Sequence, residues 1–256
     1  MAGSHLPPLF SERVNVVIFY DFEVFKEDWL AVFIDVTKKK EYVIINNPDE
    51  LKALYEANSK DIWLGYNNRH YDQYIFKGIL LGMNPKRIND WIIVEKREGW
   101  QFSSAFNKVP MINYDVMSNP PVGLKTLEGF LGSNIKETDV DFRINRKLTK
   151  EEIEMTVFYC RHDVEETLKV FLEKIDEFNA MHGIIQAFPD IVNLSDIGDS
   201  EARITAKVLG CSRRLFEDEF DFYFLPCLQL KKYKYVQDWF EQKRQEALSM
   251  DLAHMD

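Results

Sequence analysis

The sequence predicts an α/β protein, and three observations carry that reading. Short runs rich in β-branched and aromatic residues alternate with longer stretches of helical periodicity. The first three strand-like runs follow one another with no helical pattern between them, and a hairpin turn joins the second to the third, as in antiparallel neighbours. The later strand-like runs are separated by helices, as parallel neighbours are. The pattern alone supports no finer fold class.

The elements follow in order. Val14–Tyr20 is an apolar run that reads as a buried strand. Leu30–Val36 and Tyr42–Ile45 flank Thr37-Lys38-Lys39-Lys40, which suits a hairpin turn. Pro48–Ala57 reads as a helix, with Asp49 and Glu50 in its first turn. A strand at Ile62–Tyr66 precedes a helix at Tyr71–Leu81. A helix near Ile88–Lys96, a strand at Met111–Val116 and a helix at Gly123–Leu131 follow. Glu151–Phe178 carries one apolar stripe through Ile153, Val157, Cys160, Val164, Leu168, Phe171, Ile175 and Phe178. Thr149 with Glu152 makes a capping box at its start. Further helices are expected at Ser200–Leu209, ending at Gly210, and at Val236–Glu246.

Composition sets bounds. The chain has 256 residues, enough for one domain with a full core plus an appendage. Nearly half of them are apolar, which excludes a disordered chain. No apolar run reaches bilayer length, and no secretory signal is visible, so a cytoplasmic protein is expected. The three cysteines, Cys160, Cys211 and Cys227, have neither zinc-site nor disulfide-framework spacing. Residues 1–12 read as a leader, with Gly3-Ser4-His5 similar to a tag remnant. The net charge of −10 argues against tight non-specific duplex binding, which relies on many Lys–phosphate contacts. It leaves room for an enzyme that grips only a strand end.

Three acidic signals stand out. Asp21 and Glu23 are i and i+2 at the end of the first strand, so they share a face, with Phe22 opposite. Two like charges side by side repel unless a cation lies between them, and a hard divalent ion fits oxygen ligands. Asp72 follows Gly65-Tyr66-Asn67-Asn68-Arg69-His70-Tyr71 and falls in a first helical turn after a strand, where ligands often bind in α/β folds. Tyr159 and Asp163 are i and i+4 on the long helix and stack on one face, away from the stripe centre.

These segments resemble motifs I, II and III of the DEDD 3′–5′ exonucleases, tyrosine subclass. Asp21-Phe22-Glu23 resembles the first, Gly65 through Asp72 the second, and Tyr159 through Asp163 the third. The histidine subclass needs His where this chain has Phe158. Tyr114–Met117 and Gly123–Leu127 are similar to stretches that these domains carry between the second and third motifs. The resemblance covers roughly Val14 to Phe178. One departure is Val24, where many members have Thr that helps hold the terminal nucleotide; only the backbone serves there.

The resemblance implies a ribonuclease-H-like mixed sheet, three antiparallel strands then parallel ones. It also implies hydrolysis of 3′-terminal phosphodiesters to nucleoside 5′-monophosphates. Two Mg²⁺ ions, replaceable by Mn²⁺, are expected, held by Asp21, Glu23, Asp72 and Asp163. In that scheme Asp21 bridges both ions, Glu23 and Asp163 complete one site, and Asp72 supports the other largely through water. Tyr159 orients the attacking water; a phenol with a pKa near 10 is a poor base at neutral pH. Phe22, Val24, Asn67 and Tyr71 are the expected substrate contacts, with Asn67 preferred over Asn68 from spacing. The expected partner is a single-stranded DNA 3′ end.

Residues 13–178 are then the exonuclease domain, and 179–256 a mostly helical extension that resembles the link to the polymerase module of phage-type DNA polymerases. Proofreading within an originally longer, phage-encoded chain is the expectation. Lys231-Lys232-Tyr233-Lys234-Tyr235 is either a DNA contact or a solvated element end. The alternatives are an RNA 3′ exonuclease and a catalytically idle domain that binds strand ends or a polymerase.

Overall fold

The computed structural model describes residues 17–117, 121–132, 140–211, 224–225, 228 and 230–253. The leader, Val14–Val16, the acidic run Glu217–Asp221 and Cys227 lie outside them. Contacts divide the chain into one unit through Leu209 and a second from Gly210 on.

The first unit is built on a five-stranded mixed sheet. Its strands are β1 (Val17–Val24), β2 (Trp29–Asp35), β3 (Lys40–Ile45), β4 (Ile62–Gly65) and β5 (Ile112–Asp115). The order is β3-β2-β1-β4-β5. β2 is antiparallel to both of its neighbours, β1 and β3, while β4 runs parallel to β1 and β5 parallel to β4. The sheet is therefore the α/β arrangement that the spacing of the strand-like runs predicts.

β1 extends further than the apolar run. Asp21 pairs with Val32 and Glu23 with Leu30, so the two acids lie inside the ladder. The ladder continues because β2 supplies a partner for each of them. The two-residue period then sorts the side chains. Val17 and Phe19 face one core with Leu64, Cys160, Val164 and Phe171. Ile18, Tyr20 and Phe22 face the other, with Leu51, Trp63, Ile75 and Phe76. Asp21 and Glu23 continue the first set.

The second face is covered by α1 (Pro48–Ala57) and α2 (Asp72–Leu80). Asn47 caps α1 by accepting from the Glu50 N–H. α3 (Pro85–Asn89) runs straight into a π-helical turn, Asp90–Val94. The expected helix near Ile88–Lys96 is thus a shorter helix and a wider turn, followed by two 3-10 turns, Gly99–Gln101 and Ser104–Lys108. α4 (Leu124–Phe130) packs on α5.

The first face is covered by α5 (Lys150–Glu173), capped by Thr149 and Glu152 as their spacing predicts. The expected helix to Phe178 is instead two. α6 (Ile175–Ala187) starts after Lys174, whose Nζ donates to the Val116 carbonyl at 3.0 Å. That tie to the end of β5 turns the chain while the apolar stripe runs on.

The boundary expected at 178 falls inside this unit. Phe178, Met181, Ile185, Val192, Ile197 and Ile204 join Phe171 and Val164 in one core. α7 (Glu201–Val208) closes the unit. Gly198 lies against β5, where an added Cβ would stand 2.4 Å from the Asn113 carbonyl oxygen. In the second unit, α8 (Lys234–Ala253) begins within the basic-aromatic run, with Tyr235 and Trp239 exposed. Among the described residues, no helix is long and apolar enough to cross a membrane.

Candidate metal centre

β1 and α5 bring the acids together. Oxygens of Asp21, Glu23 and Asp163 lie within 4.8 Å of one another, each side chain half-buried. The strand period aims the first two at the helix, and α5 crosses β1 and β2 with Asp163 above them. Cys160, one turn before on the same helix, is fully buried. Its thiol donates to the Asp21 carbonyl and to Asp21 Oδ2, both at 3.5 Å. Asp21 is thereby fixed against the helix.

Electrostatics mark the cluster as short of positive charge. Burial, then the Asp163 charge, pushes the Asp21 carboxyl up to about 7. Burial, then Asp21 and Asp163, holds Glu23 well above the usual carboxylate range. Burial raises Asp163 as well, against the lowering effect of Lys125. Three hard oxygen donors that resist sharing a space as anions form a set suited to a divalent cation such as Mg²⁺.

Asp72 lies next to this group but outside the three-residue cluster. β4 pairs with β1 only as far as Phe19, opposite Leu64. Past that point, the Phe22 N–H is taken by Asp72 Oδ1 at 3.2 Å. Asp72 is 4% exposed, and burial followed by the Asp21 charge holds its carboxyl well above its ordinary value. It arrives from α2, which packs on the opposite face of the sheet, so it meets the site from the side.

The remaining predicted residues divide. Phe22, Val24 and Tyr71 line a cavity of about 390 Å³ together with Glu23, between the π-helical turn and Phe142. The Tyr71 hydroxyl donates to Asn89 Oδ1 at 2.8 Å. Lys86 and Arg143 give the cavity two cations. Asn67 does not line it. Asn67 has a left-handed backbone, φ 57°, and its N–H goes to Asp115 Oδ1. Asn68 is fully buried and donates to Asn113 Oδ1 and the Tyr114 carbonyl, so it is a structural residue. Tyr159 is half-buried one turn before Asp163, its ring edge-on to Phe158 at 5.4 Å. Its hydroxyl takes no hydrogen bond from the described residues. A second cavity, about 770 Å³ and lined by Arg87, Trp91 and Phe102, has none of Asp21, Glu23, Asp72 and Asp163 in its wall.

Two site residues escape sequence reasoning. Lys125 of α4 bonds Asp163 Oδ1, and Glu128, one turn later, is fully buried beside it. In the sequence Lys125 lies within the Gly123–Leu127 stretch, without a role assigned to it, and with Glu128 makes an i, i+3 pair of the kind exposed helices carry routinely. No family profile and no curated protein matches this chain.

Proposed function

We propose that the protein is a metal-dependent 3′–5′ exonuclease of the DEDD type, tyrosine subclass, acting on single-stranded DNA ends. The observation that carries this is the convergence of Asp21, Glu23 and Asp163 from strand and helix, with oxygens within 4.8 Å. The sheet order, with three antiparallel strands and then two parallel ones, supports a ribonuclease-H-like reading of the fold.

Two Mg²⁺ ions, exchangeable for Mn²⁺, would supply the positive charge that stabilises the attacking and leaving oxygens of the phosphodiester. Asp21, Glu23 and Asp163 would hold that charge, with Asp72 flanking it beside Asp21. Tyr159, one turn from Asp163, would orient the attacking water through its hydroxyl, which takes no hydrogen bond from the described residues. The cavity behind Glu23 gives the terminal nucleotide apolar walls from Phe22, Val24 and Phe142, with Lys86 and Arg143 for its phosphate. Aromatic faces and a few cations suit a single strand in a chain of net charge −10. A role in proofreading, beside a polymerase module of phage type, extends the same reading.

The test uses 5′-labelled single-stranded DNA and RNA with Mg²⁺, with and without EDTA. Shortening from the 3′ end that needs Mg²⁺ and is lost in Asp21→Ala supports the proposal. A stronger rate on RNA changes the substrate and keeps the chemistry. Undiminished activity in Asp21→Ala sinks it.

A further inference from the structure

The ammonium of Lys125 is held from two sides. In front it contacts Asp163 Oδ1; behind, Glu128 Oε1 lies 3.1 Å away. Glu128 is completely buried, and neither of its oxygens makes an aligned hydrogen bond. Its other oxygen faces His162 Nε2 at 3.7 Å. A carboxylate removed from water without hydrogen bonds is costly unless a countercharge stays with it. Lys125, on the same face of α4, is that countercharge. A flexible surface lysine roams; this one has a buried anchor that keeps its charge at the edge of the acidic cluster.

An ammonium and a dication do not share one carboxylate oxygen comfortably. At about 4 Å and an effective dielectric constant of about 20, their repulsion far exceeds thermal energy. We propose that Lys125 is a tethered resident cation: it stands on Asp163 until a divalent ion arrives, and metal binding exchanges ammonium for metal. Glu128 keeps the displaced ammonium at the wall of the site. Lys125 is in this sense a positioning residue, which holds Asp163 in place before loading. The inference rests on the metal reading of Asp21, Glu23 and Asp163.

The test is Mn²⁺ titration of the full chain, with free Mn²⁺ read by electron paramagnetic resonance. Lys125→Met removes the competing charge and should tighten binding roughly 10-fold or more. Lys125→Arg, which keeps the charge, should stay within about 3-fold of the unaltered protein. Glu128→Gln removes the anchor behind the ammonium and leaves it to the acids of the cluster, Asp163 first, so binding should weaken. In the Lys125→Met background the same change should do little, because the pair acts as a unit. The double variant also leaves no unpaired buried carboxylate, which guards against a folding defect in Lys125→Met alone. If Asp21→Asn abolishes Mn²⁺ binding while both the Lys125→Met and the double variant bind as the unaltered protein does, the exchange is wrong and the metal site stands. If the unaltered protein binds no Mn²⁺, both fall.

Discussion

Replacing Asp21 by Asn should stabilise the metal-free protein, and more so as pH rises. Burial and the Asp163 charge raise the Asp21 carboxyl from 3.8 to about 7 in the folded chain. Between those values the folded state binds more protons than the unfolded state, so stability is full below pH 4 and falls as pH climbs to 7. A rise of that size corresponds to about 4 kcal/mol, an upper figure because Glu23 and Asp163 relax with it. Asparagine has nearly the same shape, can still accept from the Cys160 thiol, and carries no charge. For a unit of this size, 1 kcal/mol moves the midpoint by roughly 2–4 °C, so Asp21→Asn in EDTA at pH 8 should melt roughly 5–15 °C higher. At pH 4 the two proteins should melt together. The assay is thermal unfolding followed by circular dichroism across that pH range. Equal slopes of melting temperature against pH, or a lower midpoint for Asp21→Asn at pH 8, would refute the account of crowded, uncompensated acids.

Other outcomes follow from the same geometry. Asp163→Ala should abolish nucleotide release, while Tyr159→Phe should keep strand binding and lower kcat by roughly 10–1000-fold, the worth of one positioning hydrogen bond; an unchanged kcat in single-turnover assays would remove the tyrosine from the chemistry. Gly65→Ala places a Cβ 2.8 Å from Asn68 Cβ and 3.0 Å from the Tyr20 carbonyl, so it should cost about 1–3 kcal/mol in urea denaturation. Asp28→Ala removes the acceptor of the Leu148 N–H at 2.8 Å and of the Asn46 amide, and should cost a comparable amount by the same measurement. Deleting 231–256 should leave the acidic site folded and active; a loss of turnover at saturating strand concentration would contradict that.

The strand pattern and the three acidic motifs were readable because each is local. Period two alone puts Asp21 and Glu23 on one face, and β1 obeys it. The end of that strand was not readable, since acids are poor strand formers and only the partner positions on β2 explain why the ladder continues. The break at Lys174 is hidden for a related reason. The apolar stripe passes through it unbroken, and the cause is a lysine bond to the distant Val116 carbonyl. The π-helical turn after Asn89 likewise has no local signature. The first helical turn that carries Asp72 is legible, but its burial and its commitment to the Phe22 N–H depend on where β4 stops. Lys125 and Glu128 meet Asp163 only once α4 lies on α5.

The Cys160 thiol meets Asp21 across 139 residues of chain. During synthesis, β1 and its acids emerge long before α5 does, and N-terminal segments begin to organise first. A partly made chain therefore carries Asp21 and Glu23 without Asp163. The same span means that undocking of α5 dismantles the centre while the sheet persists. Divalent affinity should then serve as a gauge of α5 docking, reporting local opening of one helix in molecules that remain otherwise folded.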